Sequence, residues 1–234
     1  MKRAILFDLD GVLLDSMGYH AHTWKLAIQT QLGIDLPKEY FLINEGRNSK
    51  DILQEIINKY AIPDGYQIWQ KVSDYRDQLF LDQFAPKLIT GARELVELVH
   101  GFDYNLGVAT GSTRAVAEEV LEKTGIREYF STLVTSEDVQ FSKPHPQPYQ
   151  KLLNRLASDP DHAVVIENAP FGVQSALAAG LICLAVTTTN SEEILSEATT
   201  VFTGLEAIGD YFKQEHNQSQ GKGSWILQPS LVEI

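Results

Sequence analysis

The chain has 234 residues, with 19 Lys and Arg against 31 Asp and Glu, a formal net charge of -12 and 44% hydrophobic residues. That charge excludes nucleic-acid backbones and anionic membranes as partners, and no run reaches the roughly 20 apolar residues of a membrane span. The single cysteine, Cys183, excludes an internal disulfide or a cysteine-built zinc site, which fits a reducing, cytoplasmic setting.

The first predicted element is a buried strand over Ala4–Phe7. Its apolar run stops at Asp8 and Asp10, too soon for a signal-peptide core, and Gly11 permits a sharp exit. Residues 16–85 follow without a strand pattern. Ser16 to Leu32 gathers Tyr19, His20, Trp24, Ala27 and Ile28 largely on one helical face, Asn48 to Tyr60 opens with an Asn/Ser cap, and Gly65 to Phe84 repeats Ile68, Val72, Tyr75 and Leu79 at helical spacing. This segment is predicted to be a helical domain inserted in the sheet domain. Paired hinges near Leu13 to Ser16 and Phe84 to Leu88 would make it a lid.

Beyond it the strand design recurs at Tyr104–Thr110, Thr132–Asp138, His162–Asn168 and Ile182–Thr188. Helical patterns alternate with these strands at Thr90–His100, Thr113–Thr124, Pro146–Ala157 and Phe171–Ala179. Such alternation predicts an α/β fold, a Rossmann-like three-layer core with a parallel sheet covered on both faces. The core domain is assigned to residues 1–15 and 86–213, the cap to 16–85, and a polar tail to 214–234, in which Trp225 to Leu227 could dock.

In this architecture ligands sit outside the carboxyl ends of the strands. Those ends carry Asp8 and Asp10, Thr110, Glu137 with Asp138, and Glu167 with Asn168. Each alone reads first as a strand-end turn residue. Two carboxylates two apart at a strand end lean the same way, however, and so close a pair invites a divalent hard cation that draws in phosphate oxygens. Thr110, Lys143 and the Glu167-Asn168 pair fall where the fold brings them to the same mouth.

The motifs DLDGVLLDS (Asp8, Asp10), VATGS (Thr110, Ser112), SKPHP (Lys143) and IENAPFGVQSALAAG (Glu167, Asn168) resemble, in order, those of the haloacid dehalogenase superfamily of phosphotransferases. The resemblance covers about residues 1 to 205, and it points to the helical-cap branch that contains β-phosphoglucomutase and small sugar-phosphate phosphatases. It implies Asp8 as nucleophile, forming an aspartyl-phosphate, and Asp10 as general acid and then base. Thr110, Gly111, Ser112 and Lys143 would hold the phosphoryl group, with Thr110 and Lys143 also counted as catalytic. Mg²⁺ would be bound by Asp8, Asp10, Glu167 and Asn168. The last motif commonly reads Glu-Asp or Asp-Asp. Asn168 supplies no charge, which puts the weight on Glu167 unless the amide oxygen ligates.

The expected function is Mg²⁺-dependent hydrolysis of a small phosphate monoester, a sugar phosphate or similar metabolite, by a monomer or small homo-oligomer. The alternative is a β-phosphoglucomutase-type mutase. His20, which in β-phosphoglucomutase assists the second aspartate, is one candidate cap contact with substrate. Arg47 and Arg76 are the others, each read equally as part of a solvated helix face. Asp10 argues against a metal-free dehalogenase, the position of Lys50, the nearest Schiff-base candidate, outside the first-helix pattern argues against a phosphonate-cleaving relative, and chain length with the cap against a non-enzymatic phospho-receiver module.

Overall fold

The computed structural model describes residues 2–42, 44, 49–63 and 65–218. Among these, six strands form one parallel sheet in the order β3-β2-β1-β4-β5-β6. β1 (Ala4–Phe7) lies between β2 (Asn105–Ala109) and β4 (Ala163–Glu167), with Phe7 level with Val108 on one side and Ile166 on the other. A strand flanked on both edges and covered on both faces has no wet side, so AILF is uninterrupted apolar sequence and wholly buried.

The pleat still sorts its side chains. Ile5 and Phe7 join the core under α5 (Ala92–Gly101), α6 (Arg114–Lys123) and α9 (Leu205–Gln218). Ala4 and Leu6 face the second core, under α7 (Gln147–Arg155) and α8 (Pro170–Ala178). This is the expected three-layer α/β fold. β5 (Ile182–Val186) continues the sheet outward.

Four helices stand between β1 and α5: α1 (Met17–Leu32), α2 (Lys38–Leu42), α3 (Ser49–Lys59) and α4 (Gly65–Gln83). They close around an apolar cluster of their own, with Trp24, Ile28, Leu53, Ile56 and Val72 buried in it. The strands leading into and out of this cap are tied together. Leu14 bridges Leu88, Asp15 N–H donates to Lys87 O (2.9 Å) and Ile89 N–H to Leu13 O (2.9 Å).

Several elements depart from the sequence expectation. β3 is Thr132–Val134 only, because Thr135 and Asp138 form a capping box that turns Ser136–Asp138 into a 3-10 helix. A short sixth strand, β6 (Thr200–Phe202), joins the edge beside β5, and α2 adds a fourth cap helix. Helix α9 runs through Gln218, past the point at which polar composition suggested a tail. Glu215 is buried there, and the His216 ring stacks on Phe102 at 3.9 Å. Arg47, the Asn48 cap and Trp225 to Leu227 lie outside the described residues.

Candidate active site

The chain leaves β1 through a tight turn. Gly11 has φ 83° and its N–H reaches Leu14 O (2.8 Å), while Leu13 and Leu14 both donate to Leu9 O (2.9 and 3.0 Å). A positive φ here suits glycine, and the turn buries Leu9 completely while Asp8 and Asp10 reach the cleft.

Lys143 comes from the loop before α7. Its buried ammonium has three protons and finds three acceptors: Asp8 Oδ1 (2.6 Å), Glu167 Oε1 (2.6 Å) and Ala109 O (3.2 Å). Burial opposes its charge, but the two carboxylates outweigh that and hold it protonated above the ordinary lysine range. Burial pushes Asp8 the other way, up from its usual value. Lys143 draws it down, and the negative charges of Glu167 and Asp10 add to the rise.

Asp10 is gripped from several sides. Its Oδ1 accepts from Ser16 Oγ (2.6 Å) and His20 Nε2 (2.6 Å), and its Oδ2 from Ser112 Oγ (3.1 Å) and Thr110 Oγ1 (3.3 Å). Burial disfavours its charge, yet His20, Ser16 and Arg76 together hold its carboxyl well below the usual carboxylate range. Thr110 also takes the Ser112 N–H (3.0 Å), which shapes the loop after β2.

Glu167, at the end of β4, is fully buried. Oε1 accepts from Lys143 and from Tyr149 Oη (2.6 Å), and Oε2 from the backbone amides of Asn168 (2.9 Å) and Ala169 (3.3 Å). Every acceptor site of this carboxylate is thus turned to protein, so it supports Lys143 from behind. Asn168, also buried, donates Nδ2 to Thr189 Oγ1 (2.7 Å) and accepts on its backbone carbonyl from Asn190 (2.9 Å). Thr188 donates to Gly11 O, tying the loop beyond β5 to the turn beyond β1.

These groups meet at a cavity of about 90 Å³. Asp8, Asp10, Lys143, Gly111 and Ser112 form its core wall, and Met17, His20, Trp24, Ile52 and Arg76 are among the cap residues facing them. Thr110, Glu167 and Asn168 stand behind this lining. His20 stacks on Phe80 (4.3 Å, 17°), and the Arg76 guanidinium lies 5.1 Å from both the Trp24 and Phe80 rings. Arg76 is no solvated charge. Nη1 donates to Asp77 (2.7 Å) and Nη2 to His20 Nδ1, which occupies both groups expected to reach for substrate.

Glu137 and Asp138 do not join the site. Glu137 accepts from the Arg114 amide (2.7 Å), and Asp138 pairs with Arg114 and Arg155 (2.6 Å each). Sequence reasoning missed Ser16, Tyr149 and Thr189. The position of Thr189 just past a strand end was the one usable signal, since the other two act only through partners distant in sequence or through the cap hinge. Among the described residues no three His, Cys, Asp or Glu side chains are grouped to hold a metal, and no helix is long and apolar enough to cross a membrane.

The chain is 29% identical over 208 residues to the validoxylamine A 7'-phosphate phosphatase of Streptomyces hygroscopicus subsp. limoneus, covering 89% of this chain and 96% of that protein. It is 29% identical to the fructose-1-phosphate phosphatase of Escherichia coli, over 76% and 92% of the two chains. The β-phosphoglucomutase structure from Clostridium difficile shares the fold, with a TM-score of 0.81 at 23% identity over 93% and 98%. The sequence model of the haloacid dehalogenase-like hydrolases matches residues 5–203, the same stretch whose strand ends build this cleft, and the chain belongs to that family.

Proposed function

We propose that the protein is a Mg²⁺-dependent phosphatase of small phosphorylated carbohydrates or related polyols, working through an aspartyl-phosphate on Asp8. The observation that carries this reading is the buried Lys143 bridging Asp8 and Glu167, with Asp10, Gly111 and Ser112 facing the same cavity. Relatives named as phosphatases of phosphorylated sugars support the substrate class.

The groups proposed to hold it suit Mg²⁺ because all are hard oxygens: the Asp8 carboxylate, the Asp10 backbone carbonyl and the Asn168 side-chain amide oxygen. The ion would be held by Asp8, the Asp10 carbonyl and Asn168, with substrate phosphate and water completing its shell. Bound, it would supply positive charge to the phosphoryl oxygens. Glu167 holds Lys143 in this scheme.

In the first half-reaction an Asp8 oxygen bonds to phosphorus, the phosphorus–oxygen bond to the leaving alkoxide breaks, and protonated Asp10 gives that oxygen its proton. In the second, ionised Asp10 takes a proton from water, the water oxygen bonds to phosphorus, and the bond to Asp8 breaks to release phosphate. The low affinity of Asp10 for a proton here keeps it ionised, the form in which the second half-reaction begins. The Gly111 amide, the Ser112 hydroxyl and the Lys143 charge would meet the phosphoryl oxygens, with the Ser112 amide held by Thr110.

The test is phosphate release from p-nitrophenyl phosphate and a panel of sugar phosphates at millimolar Mg²⁺. Turnover that Asp8→Asn abolishes is the expected result. Conversion of β-glucose 1-phosphate to the 6-phosphate without phosphate release would establish a mutase instead, and stable stoichiometric phospho-Asp8 without turnover a receiver.

A further inference from the structure

Thr113 stands at the N-cap position of α6, where a hydroxyl ordinarily accepts a bond from the helix amides. Here it makes no such cap. It donates instead across the cleft to Asp77 Oδ2 on cap helix α4 (2.8 Å). The other oxygen of Asp77 accepts from Arg76 Nη1 (2.7 Å), although neighbours on a helix do not face each other, so the guanidinium is turned to meet it. Nη2 of the same guanidinium donates to His20 Nδ1 on α1. Arginine has donors only, so Nδ1 must accept and the ring proton must sit on Nε2, pointing at Asp10 Oδ1 (2.6 Å). Asp10 then accepts from Ser112 (3.1 Å), the residue beside Thr113. The chain of bonds leaves the core at Thr113, crosses both long cap helices and returns to the core one residue away. Asp77 and Thr113 do not line the cavity.

We propose that Asp77 is a positioning residue: through Arg76 and His20 it sets the hydrogen bond that holds Asp10, and through Thr113 it makes that bond depend on the cap being seated on the β2–α6 loop. Without Asp77 the guanidinium loses its anchor. His20 can then move its proton to Nδ1 and turn a bare lone pair on the Asp10 carboxylate, which breaks the contact. The role of Asp10 in proton transfer is taken from the reading above, but the hydrogen-bond circuit does not depend on it.

The test combines a spectroscopic and a kinetic readout on the full chain. In ¹⁵N-histidine-labelled protein at fixed pH, His20 is expected to show the Nε2–H tautomer in the wild type and a mixture in Asp77→Ala. With Mg²⁺ and p-nitrophenyl phosphate, Asp77→Ala is expected to lose roughly 10- to 100-fold in kcat with KM changed less than about 3-fold, an ordinary cost of misplacing a proton-transfer group. Asp77→Asn, which keeps one acceptor oxygen, recovers part of this loss. Thr113→Val preserves shape and removes no helix cap, so it decides the matter if Asp77→Ala does not fold. It should reproduce the kcat loss, and the double variant should be no slower than the worse single. Retention of both the His20 signal and kcat within about 2-fold in Thr113→Val overturns the proposal. A wild type without phosphatase turnover, but with a His20 tautomer lost in the variants, upholds the circuit and overturns only the reaction assigned to the site.

Discussion

Lys143 shows how far one side chain can carry both fold and chemistry. Its ammonium separates Asp8 from Glu167 in a pocket where its side chain is 4% exposed. Removing it leaves two buried carboxylates with no counter-charge, an arrangement that costs about 3–5 kcal/mol when one partner of a buried pair is deleted. Lys143→Met is therefore expected to lower the urea unfolding midpoint by that equivalent and to abolish turnover; a variant of wild-type stability would show that Asp8 and Glu167 do not rely on it. Asn168 makes a gentler test. Asn168→Asp adds charge where the amide stands, so the Mg²⁺ concentration for half-maximal turnover should fall several-fold, because carboxylate count tunes affinity for hard cations. Glu167→Gln should instead reduce kcat, because it loosens Lys143. An unchanged Mg²⁺ requirement in Asn168→Asp would remove that residue from the metal site. The sequence placed these groups at one mouth because each follows a strand. It could not show that Glu167 faces inward, since that depends on Tyr149 and two backbone amides.

At the scale of elements, the clearest constraint is where α8 meets the end of β4. A Cβ on Gly172 would fall 1.8 Å from Glu167 Oε1, so only glycine lets the helix pass this close. Gly172→Ala is expected to cost about 1–3 kcal/mol, the usual range for overpacking, and to displace Glu167 from Lys143 with loss of turnover; thermal melts and phosphate release measure both. The turn after β3 depends on Asp138. Burial raises its proton affinity, but Arg155 and Thr135 outweigh that and hold it below the usual carboxylate range. A lowered folded-state value means the stabilisation is complete above the unfolded value, near pH 4, and is lost as pH falls through the folded one. Asp138→Asn should accordingly cost about 2 kcal/mol in urea melts at pH 7, with the deficit shrinking only below about pH 4. A deficit that instead shrinks between pH 7 and 5 would point to another group. The same turn explains a misreading: TLVTSED carries strand-like residues, but the local bond from Asp138 back to Thr135 wins over extension. β6 has three half-buried residues and so gives no apolar run, and α9 hides its buried face behind polar neighbours.

For the whole molecule, the three-layer core was legible because a parallel sheet demands apolar strands alternating with helices of nearly fixed length, and β1, β2, β4 and β5 obey that demand almost residue for residue. The seating of the cap was not legible, since it rests on bonds such as Thr113 to Asp77 and Ser142 to Asp51 (2.6 Å) between residues far apart in the chain. The net charge of -12 acts at this largest scale. A phosphate monoester approaching the molecule is expected to be repelled until it comes within reach of Lys143 and of the proposed Mg²⁺, and the range of that repulsion is the Debye length, about 30 Å at 0.01 M salt and 10 Å at 0.1 M. Added monovalent salt should therefore speed capture while leaving the buried, weakly screened chemistry alone. At saturating Mg²⁺, raising NaCl from about 10 to 100 mM is expected to increase kcat/KM for an anionic substrate up to a few-fold with kcat unchanged. A fall in kcat/KM over the same range would mean that the cleft mouth presents a positive field extending well into solvent, and that local charge, not the molecular total, governs the approach.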